Sequence, residues 1–164
     1  MGRKIFVVGL IAAVAALATV AYAANPHYVN GPTCTQNTAT GLVSCAGKIA
    51  GLGSNETGLF VVANFPAGCS NPGNEDIPGQ RSFVSGPFST DQGGSLVFGG
   101  SSGNNVTAGG GVTCHGGQEV NVGSTGTLTV YQCTSGSPTF SKKTGAQTNQ
   151  SCTEVLGPTD VTAT

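Results

Sequence analysis

Tryptophan is absent from this 164-residue chain, methionine occurs once, and charged side chains make up only 8% of it. Each scarcity excludes something. Sugar-binding faces usually stack their ligand on large aromatic rings, so the lack of tryptophan and the 6% aromatic content speak against a stacking platform. Phosphate neutralisation needs clustered Lys and Arg. Beyond residue 23 the basic side chains are Lys48, Arg81, Lys142 and Lys143, against seven acidic ones, a net charge of −3. Nucleic acid is therefore not an expected partner. Disorder pairs low hydrophobicity with high net charge, and neither holds here. No second long apolar run follows residue 20, so no membrane association is expected once the N-terminal segment is removed.

That segment has the three parts of an export signal in order. Arg3-Lys4 form a basic start, Ile5 to Val20 an uncharged apolar run, and Ala21-Tyr22-Ala23 a small-residue cleavage site. Residues 1–23 are thus expected to be a helical signal peptide, with Ala24 opening the mature chain. Residues 24–164 suffice for one domain and not comfortably for two. No cysteine stands at the cleavage site, so lipid modification is not expected. The expected location is extracellular or on the cell surface.

Twenty-seven glycines and eight prolines punctuate the rest. Between them lie short β-branched and aromatic runs without helical period. The clearest is Thr57–Phe65, whose unbroken apolar centre implies a strand buried on both faces. Further strands are expected at Leu42–Ile49, Arg81–Phe88, Ser95–Phe98, Thr125–Gln132 and Cys152–Leu156, making six to eight in all. The expected fold is all-β, a disulfide-stabilised β-sandwich of immunoglobulin-like or jelly-roll-like shape, although a small barrel gives the same pattern. Pro66–Gln80 and Gly99–Gly117 are expected to be long loops.

All six cysteines, Cys34, Cys45, Cys69, Cys114, Cys133 and Cys152, lie beyond the signal, as in a disulfide framework for an oxidising compartment. Six cysteines allow 15 connectivities. Loop spacing favours Cys69 with Cys114, pinning both long loops, Cys34 with Cys45 across a hairpin turning at Asn37–Gly41, and Cys133 with Cys152.

Candidate chemistry is sparse. No Gly-x-Ser-x-Gly elbow occurs; in Gly99-Gly-Ser-Ser-Gly103 the serine is out of register. His27 and His115 are the only histidines. His115, beside Cys114 and Gly116-Gly117, is the one weak functional candidate, a base or ligand against the commoner reading of a surface residue. Adjacent Glu75-Asp76 make a poor acid and base pair. The loop Asn71–Asp76 lacks the alternating oxygens of a dedicated calcium site. No catalytic residue, cofactor or metal is assigned. Asn55, Asn105 and Asn149 open glycosylation sequons.

Asn25-Pro-His-Tyr28, Lys48-Ile-Ala-Gly-Leu-Gly53 and a Cys69 loop matched by Cys114-His-Gly-Gly-Gln118 together resemble a group of small exported bacterial proteins. The resemblance implies a secreted sandwich-like domain, supports Cys69 with Cys114, and implies no activity. The chain departs from the group in its four outer cysteines and in lacking regular final strands. The function expected is non-enzymatic, structural or interaction-mediating, with a cell-wall component or extracellular protein as partner. The alternatives are a module binding a sugar or protein through its Gly-rich loops, and a small secreted hydrolase or toxin using His115.

Overall fold

In the computed structural model, which describes residues 25–70, 76–78, 82–109, 114–141 and 146–164, eleven strands alternate with turns and no helix occurs among the described residues. They are β1 (His27–Gln36), β2 (Val43–Ala50), β3 (Leu59–Asn64), β4 (Ala67–Ser70), β5 (Asp76–Pro78), β6 (Ser82–Phe88), β7 (Leu96–Phe98), β8 (Val106–Ala108), β9 (Glu119–Val122), β10 (Thr125–Cys133) and β11 (Cys152–Thr162). The segment 1–23 expected to be a signal peptide, Arg81 and the Lys142-Lys143 pair lie outside the described residues.

Three antiparallel sheets result. In the first, β2 pairs with β1 on one side and with β7 and then β8 on the other. The second runs β11-β10-β3-β6, and the third β5-β4-β9. Side chains alternate between the faces of a strand, and that alternation builds one core between the first two sheets. Val43, Cys45, Ile49, Leu96 and Phe98 from the first meet Leu59, Val61, Leu128 and Val130 from the second in a single buried cluster. Each large side chain so buried contributes roughly 1.5 to 3 kcal/mol.

The apolar run of β3 is buried on both faces, as its composition implies. Leu59, Val61 and Ala63 enter the central core, while Phe60 and Val62 join Tyr131, Cys133 and Cys152 in a second cluster on the opposite face. Phe140 packs against that cluster, its ring edge-on to Tyr131 at 5.8 Å. It is held there by a small hairpin, in which Thr148 N donates to Thr139 O at 2.7 Å and Ser141 N to Ala146 O at 2.8 Å.

β11 ties the two large sheets together. Val161 pairs with Gly126 in the second sheet, and two residues later Ala163 bridges Cys34 of the first in parallel. Gln36 N donates to Thr164 O at 2.9 Å, and Ala163 N to Ser124 O at 2.6 Å. Gly126 is required at this joint. A Cβ there would come within 2.7 Å of the Phe65 ring and 2.6 Å of Asn64 O.

Several expectations are corrected. The segments Pro66–Gln80 and Gly99–Gly117 are not wholly loops: the first supplies β4 and β5, and the second supplies β8. Four residues of β4 suffice because β9 and β5 pair with them on both sides. The final strands are regular and among the longest, nine residues in β10 and eleven in β11, against the departure expected from the bacterial group. His27, three residues beyond the expected mature N-terminus at Ala24, opens β1 and is paired with Ala50. The strand it opens is hard to read because Asn30-Gly31-Pro32 bulges out between Val29 and Thr33, with Asn30 and Gly31 both at positive φ.

Bridges join Cys34 to Cys45, Cys69 to Cys114 and Cys133 to Cys152, the pairs that loop spacing favours, and no cysteine is free. Two of them link residues standing directly opposite on paired strands. The third ties β4 to the Gly-rich segment before β9. In the chain-entropy model each such closure contributes about 3 to 4 kcal/mol.

Candidate functional surfaces

His115 sits on an exposed turn directly after the Cys114 bridge. The turn is closed by its own backbone: Gln118 N donates to His115 O at 3.0 Å, and Gln118 Oε1 accepts from His115 N at 3.1 Å. Gly117, at φ +87°, completes the reversal. His27 lies on β1 of the first sheet, where its Nδ1 contacts Asn25 O at 2.9 Å, whereas His115 stands on the turn before β9. Among the described residues, no three His, Cys, Asp or Glu side chains converge in a metal-binding group. The six cysteines are consumed in bridges, which removes them as nucleophiles or ligands. Glu75 and most of the Asn71–Asp76 loop lie outside the described residues.

The three sequons differ in surroundings. Asn55 and Asn105 are exposed. Asn149 is built into the hairpin under which Phe140 sits, its Nδ2 donating to Ser137 O at 2.8 Å and its Oδ1 accepting from Ser151 N at 3.0 Å.

Two tyrosines have raised pKa values. Tyr28 lies against Phe98 with its hydroxyl buried and without a hydrogen-bond partner among the described residues, and burial pushes its phenol up to about 12. Tyr131 is raised by burial and by the Glu154 carboxylate, which lies opposite it on β11. Neither lines a concavity described below.

Two depressions mark the outer faces of the large sheets. The first, of about 370 Å³, crosses β1, β2 and β8. Its floor is a row of hydroxyls, Thr35 opposite Ser44 and Ser44 opposite Thr107. Its wall is the arch Gly99–Asn105, held by Gly99 N donating to Asn104 O at 2.7 Å and Asn104 Nδ2 to Val97 O at 2.7 Å. The second, of about 530 Å³, lies at the end of the second sheet remote from Phe140. Asn64, Thr127 and Asp160 face it from β3, β10 and β11, where Thr127 pairs with both neighbours. His115 lines neither depression.

Residue spacing along the chain reveals neither surface directly. One signal was available: Thr33-Cys-Thr35 and Thr125-Gly-Thr127 alternate hydroxyls with inward residues, which places a polar row on one face of each strand. Comparison with protein-family models, curated proteins and solved structures found no match.

Proposed function

We propose that this chain is exported through its N-terminal segment and works outside the cell, or on its surface, as a non-enzymatic domain in a structural or interaction-mediating role. The observation that carries this reading is the placement of the three bridges. One crosses the first sheet, one crosses the second and closes the hairpin carrying Phe140, and one holds the third sheet to the Gly-rich segment before β9. A weakly charged chain so stapled is suited to persist in an oxidising compartment, where such bridges form and survive. The two facing sheets support the finer reading of a sandwich, immunoglobulin-like or jelly-roll-like in outline.

The test is export of the full chain followed by intact-mass analysis with and without reductant. The expected product begins at Ala24, carries no alkylatable thiol before reduction, and resists protease until reduced. An intracellular product with free thiols would overturn the proposal. A His115→Ala variant is expected to leave any host phenotype unchanged; loss of that phenotype would favour the hydrolase or toxin reading.

A second reading, a binding module, is favoured by the arch Gly99–Asn105, because a Gly-rich segment there walls a groove instead of hanging free. Loops raised on a rigid sheet scaffold commonly carry recognition. Pull-downs against wall polysaccharide and extracellular proteins test it, and recovery of nothing above background would sink it.

A further inference from the structure

The outer face of the second sheet changes character along its length. Near Phe140 it is apolar and covered; at the other end the row Ser82-Asn64-Thr127-Asp160 crosses all four strands in register. The next pair along, Thr125 opposite Thr162, is also polar. The side chains of Asn64, Thr127 and Asp160 take no part in hydrogen bonds among the described residues. Some amides elsewhere are spent inside the fold. The amides of Gln36, Asn104, Gln132 and Asn149 all donate within the fold.

From this juxtaposition we propose that Asn64, Thr127 and Asp160 form a binding site for a neutral carbohydrate chain. A carboxylate only accepts hydrogen bonds, an amide does both, and a hydroxyl does both. That set complements vicinal sugar hydroxyls, each of which donates and accepts, and the bonds to the carboxylate are charge-assisted. Adjacent strands are about 4.8 Å apart, so the three groups span roughly 10 Å, a length suited to a disaccharide. The depression is shallow and open, so a glycan chain would lie along it and not be enclosed. Three hydrogen-bonded strands fix the backbones that carry these groups, so only their side-chain rotamers need ordering on binding. Pro66 adds an apolar ring at the margin for sugar C–H groups.

The charge pattern narrows the ligand. Among the described residues one carboxylate and no basic side chain line the depression, which disfavours phosphates and anionic glycans. A single carboxylate is also too few for a strong divalent-cation site, whose affinity follows ligand charge. Absence of an aromatic platform leaves hydrogen bonding as the recognition mode, so binding per site is millimolar and gains from repeats in the glycan. The site names a partner class for the interaction-mediating role, and it rests on that reading only for where the ligand is met.

The test is amide chemical-shift mapping on the isotopically labelled, fully bridged protein. Neutral tetrasaccharides of glucose, mannose, xylose and N-acetylglucosamine are titrated separately, with calcium chloride as a further arm. At least one tetrasaccharide is expected to shift the amides of Gly126, Thr127, Asp160 and Val161, saturating in the millimolar range. Asp160→Asn is expected to weaken binding at least several-fold and Thr127→Lys to abolish it, whereas Ser44→Lys on the other large sheet leaves it unchanged. Well-dispersed spectra of the variants show that they fold. The proposal is overturned if no sugar shifts these amides, if the shifts survive Thr127→Lys, or if calcium shifts them and every sugar is inert. Export and bridge formation are measured independently, so failure here leaves the extracellular reading standing.

Discussion

Cys133 and Cys152 stand directly opposite each other on β10 and β11, their Cα atoms 4.0 Å apart, and their bridge closes the segment that lays Phe140 on Tyr131. The bridge therefore acts on two levels. It removes entropy from the unfolded chain and fixes the cover of the second apolar cluster. Replacing both residues, Cys133→Ala with Cys152→Ala, is expected to lower stability by about 2 to 4 kcal/mol. Urea titration reads this as a lower midpoint, and increased binding of a hydrophobic dye reports exposure of Phe60 and Val62. A midpoint equal to that of the parent would show that the bridge does not stabilise this cover.

Gly126 and Phe65 share one space. With Phe65 fully buried and its ring within 2.7 Å of where a Cβ would stand, the fold has no room for alanine. The Asn64 carbonyl on the other side cannot turn away without losing strand pairing. Gly126→Ala is expected to cost about 1 to 3 kcal/mol by overpacking, measured as a fall in melting temperature. An unchanged melting temperature would mean that β10 shifts freely at this joint.

Legibility in the sequence followed the range of the forces. β3 and β10 were readable because burial on one or both faces writes itself into consecutive residues. β4 and β9 were not, since each has four residues and exists by pairing with the other across some fifty residues of chain. β1 was obscured by its bulge at Asn30-Gly31-Pro32, and the later part of β11 by Gly157-Pro158, which suggest a strand end but here lie within the strand. The candidate carbohydrate site is a stronger case. Asn64, Thr127 and Asp160 become neighbours only through sheet order, and no local spacing announces them.

Thr90 links two loops at the end of the core. Buried to 7% exposure, its hydroxyl donates to Gly53 O at 2.7 Å and accepts from Glu56 N at 2.8 Å. Thr90→Val keeps the shape and leaves both backbone groups without their partner. The expected loss is about 1 to 3 kcal/mol in chemical denaturation, with Thr90→Ser recovering part of it. Equal stability of the valine and threonine forms would show that water replaces the hydroxyl there.

Tyr28 supplies a pH dependence whose sign follows from its burial. Its folded-state pKa is about 12 against an unfolded value of 10.0, so the folded state holds the proton more tightly. The contribution is complete below pH 10 and is lost as pH rises from there through 12, with a slope of at most about 1.4 kcal/mol per pH unit. Tyr131 is raised as well, by burial first and by Glu154 second, and adds to the same alkaline fall. Tyr28→Phe removes a buried hydroxyl that has no partner among the described residues, so it is expected to be neutral or slightly stabilising at pH 7 and to flatten the decline above pH 10. Adding Tyr131→Phe is expected to flatten it further. Denaturant titrations at pH 7, 9, 10 and 11 measure both effects. A Tyr28→Phe protein that is markedly less stable at pH 7, or that declines as steeply as the parent in alkali, would show that the hydroxyl is satisfied in solution.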